Sequence, residues 1–192
     1  MTAVYQKHGA RFQYPRGWTL TEEQSDQEVC ITVNSPDTAF WSLTLFFDRP
    51  SPEDVAETVV RAFEDEYDSV DVYPTNSDVG SVPAVGADLE FLALDLTNSA
   101  YVRVCRTARF TAVVLYQGTD HELARGLPEL EAISSTIEFE QSEDWPDFEA
   151  REAEDVAGSD HDEDDQDDDL NGDWNGHRHR GGADRDDEDD DP

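Results

Sequence analysis

The sequence has almost no lysine. Lys7 is the only one, and lysine and arginine together number 13 against 47 aspartate and glutamate residues, which gives a formal net charge of −34 at pH 7. Binding to nucleic acid or to anionic membrane surfaces depends on basic side chains that neutralise phosphate groups. The composition therefore argues against nucleic acid and membrane as partners. It fits either a protein whose molecules are kept apart by self-repulsion or one that binds another protein of basic charge.

Cysteine and long apolar segments are also scarce. Cys30 and Cys105 are the two cysteines, and each lies within a strand-like run, so we expect packed, reduced thiols and no disulfide. The sequence contains no apolar run of about 18 residues, the length that a membrane-spanning helix needs. The first residues, MTAVYQKHGARF, lack the apolar segment of a signal peptide. We therefore expect a cytoplasmic protein.

The negative charge is unevenly distributed along the chain. Residues 1–140 hold 24 acidic and 9 basic side chains, whereas residues 141–192 hold 23 acidic and 4 basic ones and few large apolar residues. A segment of this second kind cannot bury enough apolar surface to offset the entropy lost on ordering. We therefore predict a folded domain over residues 1–140, long enough to be stable without a disulfide or metal, and a disordered acidic tail over residues 141–192.

The most apolar segment runs from Leu89 to Phe139 and predicts a sheet. Its pattern indicates three strands, Leu89–Leu96, Tyr101–Thr107 and Phe110–Gln117. Both faces of the first and third strands are mainly apolar, which is typical of a sheet that is covered on both sides. The predicted fold class is α/β: an α/β/α sandwich with a largely antiparallel sheet, helices on both faces and a disordered acidic C-terminal tail.

The remaining elements follow from local signals. Ser51-Pro52-Glu53-Asp54 predicts a helix start, and an apolar stripe continues that helix to about Asp68. Thr119 and Glu122 form a capping box at the start of a last helix, in which Pro128 predicts a kink or two abutting segments. The other predicted segments are strands at Tyr5, Arg11–Tyr14, Val29–Val33, Trp41–Phe47 and Val70–Tyr73, a loop at Pro74–Gly86, and a short strand or packed extension that closes the domain at Ile137–Phe139.

This order of elements, with the turn Tyr14-Pro15-Arg16-Gly17-Trp18 and the closing run Ile133-Ser134-Ser135-Thr136-Ile137, resembles the PsbP-like superfamily. That superfamily also contains Ran-binding Mog import factors, bacterial DcrB-type proteins and cytoplasmic chaperones that hold type VI secretion effectors before export. The resemblance covers about residues 3 to 139 and implies a binding or assembly module and not an enzyme. Because the shared motifs are packing motifs, no site residue is carried over.

The sequence offers little for catalysis. Within residues 1–140 the histidines are His8 and His121, and neither lies in a recognisable nucleophile or acid–base pattern. Cys105 stands beside Arg103 and Arg106, positive charges that would lower a thiol pKa and make it reactive. The favoured interpretation of Cys105 is a structural strand residue. We predict a non-enzymatic protein without a cofactor, with an enzyme of unrecognised site as one alternative.

A candidate protein-binding face lies on the strand Tyr101–Thr107. By alternation, Tyr101, Arg103, Cys105 and Thr107 share one face of that strand. An aromatic residue and an arginine with little other charge are typical of the core of a protein interface. We therefore predict an adaptor-like or chaperone-like module that binds another protein through its sheet.

The tail contains one pattern that suggests a metal. Asp167, Asp169, Asn171, Asp173 and Asn175 have the spacing of the first nine positions of an EF-hand calcium loop, with Gly172 at the turn. The twelfth position, normally a bidentate glutamate, is Arg178. His177 and His179 form a His-x-His pair of the type that binds zinc or copper. A calcium-responsive or zinc-responsive protein is therefore the second alternative.

Overall fold

The computed structural model of the chain describes residues 1–140, which form antiparallel strands and two helices. The helices are α1 (Pro52–Glu66) and α2 (Asp120–Ser135). The strands are β1 (Thr2–Lys7), β2 (Ala10–Pro15), β3 (Thr19–Gln24), β4 (Glu28–Asn34), β5 (Phe40–Phe46), β6 (Val70–Val79), β7 (Val82–Ala93), β8 (Leu96–Arg106), β9 (Thr111–Thr119) and β10 (Glu138–Phe139). Neither of these helices is long and apolar enough to cross a membrane.

The strands of residues 1–140 form a small sheet and a large one. The small sheet has the order β1-β2-β10, and the large sheet has the order β3-β4-β5-β9-β8-β7-β6. Every strand pairing within the two sheets is antiparallel. This sheet-dominated architecture with two helices confirms the largely antiparallel sheet that the sequence predicts.

Both helices begin where local sequence signals place them. The Ser51 side chain accepts a hydrogen bond from the backbone of Asp54, and Pro52 occupies the first helical position of α1. At α2 the Thr119 side chain accepts from the Glu122 backbone, and the Glu122 carboxylate accepts from the Thr119 backbone, so the capping box is complete. Helix α2 passes through Pro128 as one helix and not as two segments.

Two apolar clusters use alternate residues of the central strands. Val104 and Val113 belong to one cluster, together with Ala56 and the apolar stripe of α1. Their chain neighbours Cys105 and Val114 belong to the other cluster, together with Leu130 and Ile133 of α2 and residues of the small sheet. Successive side chains of a strand point to opposite faces, so each helix packs against a different set of sheet residues.

The prediction of a loop at Pro74–Gly86 is wrong. These residues form the end of β6 and the start of β7, which pair from Val70–Phe91 to Val79–Val82 around a turn that contains Gly80. Both prolines are compatible with this pairing. Pro74 lies on the edge strand β6, and Pro83 precedes the first β7 residue that pairs with β8. A missing backbone N–H costs no ladder hydrogen bond on a side that has no neighbouring strand.

The predicted end of the strand Leu89–Leu96 is also wrong. A turn at Leu94-Asp95 separates β7 from β8, so Leu96 belongs to β8. Leu92, Leu94 and Leu96 are 63%, 95% and 49% exposed, so the prediction that this segment is covered on both faces fails at its tip. Strand β3, a mostly exposed strand at the other edge of the large sheet, is a further element whose bounds the sequence pattern did not predict.

Candidate functional site

One row of side chains crosses the large sheet from its open edge towards its core. Tyr73 of β6 pairs with Asp88 of β7, Asp88 pairs with Tyr101 of β8, and Tyr101 pairs with Tyr116 of β9. Directly opposed residues of antiparallel strands lie on the same face. These four residues therefore form one continuous strip, which we call the tyrosine strip.

The exposure of the tyrosine strip changes steadily along its length. Tyr116 is buried, Tyr101 and Asp88 are half-buried, and Tyr73 is 51% exposed. Helix α2 packs on β2, β8 and β9, which explains why the β9 end of the strip is covered. The rings of Tyr101 and Tyr116 are stacked, with centroids 4.7 Å apart and an interplanar angle of 14°. The strip therefore presents a rigid aromatic surface that is open to solvent at its β6 end.

Arg103 is fixed beside the strip by three acceptors. Its guanidinium donates to the Asp88 carboxylate at 2.7 Å and to the backbone carbonyls of Val102 and Ala87 at 2.9 and 3.2 Å. Arg103 keeps little exposed side chain, so its charge is matched by Asp88 within the protein. Its role is to hold the Asp88 side chain in place, and it offers no free cation to a ligand.

The charge around the strip is negative. Asp71 of β6 and Glu90 of β7 are exposed and directly opposed in the next row of the same face, a placement in which like charges repel. The pKa of Tyr101 is raised, first by partial burial and then by the negative charges of Asp88, Glu131 and Glu90, while Arg103 opposes this shift. Burial likewise raises the pKa of Tyr116 to about 12. Both phenols are therefore neutral hydrogen-bond donors in a negative field.

The structure divides the four residues of the predicted protein-binding face. Tyr101 and Arg103 lie at the tyrosine strip, and their role in binding stays a prediction. Cys105 is 1% exposed and Thr107 is also buried, so these two residues cannot contact a partner without rearrangement. Cys105 is buried because β8 lies between β7 and β9 and this residue packs into the cluster that contains Leu130 and Ile133 of α2. Thr107 follows β8, and its buried hydroxyl donates to the backbone carbonyl of Phe110 and accepts from the backbone N–H of Phe110.

The reactive-thiol hypothesis for Cys105 fails on the same grounds. Burial raises the pKa of this thiol to about 12, opposite to the direction that adjacent arginines would cause. Arg103 is engaged by Asp88, and the Arg106 guanidinium donates to the backbone carbonyls of Arg49 and Pro50. Cys105 is a core residue.

The remaining candidate residues do not converge on a reaction centre in the described part of the chain. His8 contacts the carboxylate of Glu22 at 3.0 Å, and His121 is exposed in the first turn of α2, on a separate element. Residues 1–140 contain no group of three or more histidine, cysteine, aspartate or glutamate side chains placed to hold a metal ion. The predicted metal ligands lie outside the described residues: Asp167, Asp169, Asn171, Asp173, Asn175, His177 and His179.

Sequence reasoning missed half of the site. Tyr73, Asp88, Asp71 and Glu90 were not recognised as one surface, because the predicted loop Pro74–Gly86 left no basis for pairing β6 with β7. After Tyr73 the residues Pro-Thr-Asn-Ser-Asp show no alternation of apolar and polar side chains, so no local signal extends the strand. The register that aligns Tyr73 with Tyr101 is a long-range property that no local pattern contains.

Comparisons with known proteins give the fold. No protein-family model and no curated protein matches the chain. Its structure matches the solution structure of cyanobacterial PsbP (CyanoP) from Synechocystis sp. PCC 6803 with a TM-score of 0.53 and 12% identity, over 72% of this chain and 92% of that one. The chain has the PsbP-like fold. The resemblance noted in the sequence is thereby confirmed for the fold.

Other structures with weaker similarity accompany this PsbP-like match. LpqN of Mycobacterium tuberculosis, described as involved in cell envelope biogenesis, is 13% identical with a TM-score of 0.48, over 71% of this chain and 89% of LpqN. A structure from Bacteroides thetaiotaomicron VPI-5482 has the same identity and TM-score over 73% of this chain, which spans about half of it (48%). Similarity of this kind assigns no activity.

Proposed function

We propose that this protein acts by binding another protein, in the manner of an adaptor or chaperone, and not by catalysis. The ligand is a basic, extended segment of the partner that lies across the tyrosine strip. The observation that supports this most directly is the placement of exposed, mutually repelling Asp71 and Glu90 beside Tyr73 and Tyr101 on one open face. A guanidinium or ammonium group bound there would relieve the repulsion between the two carboxylates.

The chemistry of the strip fits arginine and lysine side chains. Tyrosine ring faces attract cations, by about 0.5 to 1 kcal/mol at exposed sites, and carboxylates form paired hydrogen bonds with guanidinium groups. Arg103 does not compete, because Asp88 already neutralises it. Binding of this type is expected to weaken as salt rises.

An extended ligand would lie on the face of the sheet and not pair with its edge. Strand β6 is the edge strand beside the tyrosine strip, and it contains Pro74 next to Tyr73. Proline has no backbone N–H to offer, and it is a common protection of sheet edges against added strands. The partner segment is therefore recognised by its side chains.

We further infer that the fold is an α/β/α sandwich in which α1 and α2 cover opposite faces of the large sheet. The support is that α1 shares a cluster with Val104 and Val113, whereas α2 shares one with Cys105 and Val114. The acidic residues 141–192 would add solubility and an electrostatic preference for basic partners. The proposed location is the cytoplasm.

Tyr73 allows a clean test, because it is half exposed and its replacement leaves the core intact. The probe is a fluorescent decapeptide of alternating arginine and serine, titrated into the full chain at low salt. We expect Tyr73→Ser to weaken binding about threefold to fivefold and Tyr73→Phe to change it by less than twofold, since the ring and not the hydroxyl attracts the cation. Equal affinities for Tyr73→Ser and the unmodified protein would overturn the proposal.

A further inference from the structure

The hairpin that joins β7 to β8 extends beyond its neighbouring strands. Pairing of β6 with β7 ends at Val70–Phe91, and pairing of β9 with β8 ends at Asn98–Thr119. Within the described residues, positions 92–97 therefore pair only with each other, through Leu92–Thr97 and Ala93–Leu96. We call residues 92–97 the hairpin tip.

The hairpin tip exposes a leucine on each face and a third at its turn. Leu92 lies on the face of the tyrosine strip, because Asp88, Glu90 and Leu92 are every second residue of β7 and so share one face. Leu96 lies on the opposite face, paired with Ala93, and Leu94 lies at the turn, where it is 95% exposed. Single exposed leucines are common on protein surfaces, but three within five consecutive residues concentrate exposed apolar side chains at one site.

The first residue of the turn suits it poorly. Leu94 and Asp95 have φ values of 52° and 63°, the left-handed pair that two-residue hairpin turns require and that Asn-Gly normally supplies. Leucine is disfavoured in this conformation because its Cβ crowds the backbone. Its exposed side chain gains no packing in return. Folding therefore does not account for a leucine at this position.

We propose that the hairpin tip is a docking wedge that inserts Leu92, Leu94 and Leu96 into an apolar cleft of a partner protein whose rim carries lysine or arginine. Charge complementarity selects this occupant, since Asp95 lies in the tip and Asp71 and Glu90 lie just behind it. A second copy of this chain would bring a further net charge of −15 from residues 1–140 alone, which opposes self-association. The inference rests on the protein-binding function proposed above and adds a second contact to it.

The test places a photoreactive benzoylphenylalanine at position 94 of the full chain in the cells that make it. A matched control carries the same group at Ala62, which is exposed on α1. We expect a cross-link from position 94 and none from position 62, to a protein that is then identified by mass spectrometry, purified and titrated. A cross-link to a second copy of the chain, partition of the chain into lipid vesicles, or no cross-link from position 94 would overturn the wedge.

Two variants at Leu94 separate docking from folding in that titration. Leu94→Asn suits the left-handed turn, so we expect the thermal midpoint to rise by about 2 to 4 °C while affinity for the purified partner falls at least tenfold. Leu94→Met keeps the apolar contact, so its affinity for the partner should stay within about threefold of that of the unmodified protein. If Leu94→Asn leaves the affinity for the partner unchanged, the docking-wedge proposal is rejected. If Leu94→Asn lowers that affinity and Tyr73→Ser does not, the docking wedge is supported and the proposed role of the tyrosine strip is rejected.

Discussion

One carboxylate oxygen of Glu122 accepts hydrogen bonds from both the backbone N–H and the hydroxyl of Thr38, at 2.6 and 2.8 Å, although the two residues are 84 positions apart. Its other carboxylate oxygen accepts from the backbone and hydroxyl of Thr119 at 2.9 and 2.7 Å. One carboxylate therefore caps α2 and also fixes the connection between β4 and β5. Partial burial disfavours its charged form, but the hydrogen bonds from Thr119 and Thr38 outweigh this and lower the pKa of Glu122 to about 2.

The first prediction follows from this carboxylate. Glu122→Gln should lower the free energy of unfolding at pH 7 by about 1 to 2 kcal/mol, a range that allows for solvent screening. Because the folded pKa lies below the ordinary value of 4.5, the stabilisation is complete above about pH 4.5 and is lost as pH falls towards 2. Urea unfolding at several pH values measures this.

A matched control for Glu122 lies on the same helix. Glu129 is exposed, so Glu129→Gln should change the free energy of unfolding by less than about 0.5 kcal/mol. The account of Glu122 fails if the difference between Glu122→Gln and the unmodified protein is the same at pH 6 and pH 3.

Two glycines give predictions of opposite sign. A Cβ at Gly86 would lie 1.8 Å from the backbone oxygen of Val102, so Gly86→Ala should destabilise the protein by at least about 2 kcal/mol. A Cβ at Gly126 would meet no atom within 4 Å, and this residue lies inside α2, so Gly126→Ala should stabilise by about 0.5 to 1 kcal/mol. Thermal unfolding followed by circular dichroism measures both. Equal midpoints for the two variants would show that the close packing of β7 on β8 is misplaced.

The two cysteines should differ in reactivity. Cys105 is buried with a pKa of about 12, so it should not react with an aromatic disulfide reagent at pH 8 until denaturant is added. Cys30 is only half-buried, so it should account for the native labelling. Cys105→Ala should leave the native labelling unchanged and remove one of the two thiols counted in denaturant. Rapid native labelling that persists in Cys30→Ala but not in Cys105→Ala would contradict this assignment.

The elements that sequence could predict are those set by neighbouring residues. Ser51 with Pro52 and Thr119 with Glu122 fix their helix starts through contacts within four positions. Pro74 led to the wrong prediction of a loop because the effect of a proline depends on whether its strand is an edge strand, which the order of the whole sheet decides. For the same reason only part of the tyrosine strip could be recognised from the sequence. The Tyr101 face was visible from alternation, but its union with Tyr73 depends on two strand registers.

The central claim is that a basic segment binds the tyrosine strip in preference to an acidic surface that lacks the strip's tyrosines, such as the outer face of α1. Chemical-shift mapping of the ¹⁵N-labelled full chain with the arginine–serine decapeptide tests it most directly. The outer face of α1, with exposed Glu57, Glu64 and Asp65, is the internal control, because it is acidic but not adjacent to the strip. The account predicts saturable shifts at Tyr73, Asp88 and Tyr101 that exceed those on α1. Shifts of equal size on both surfaces, or none at the strip, would contradict it.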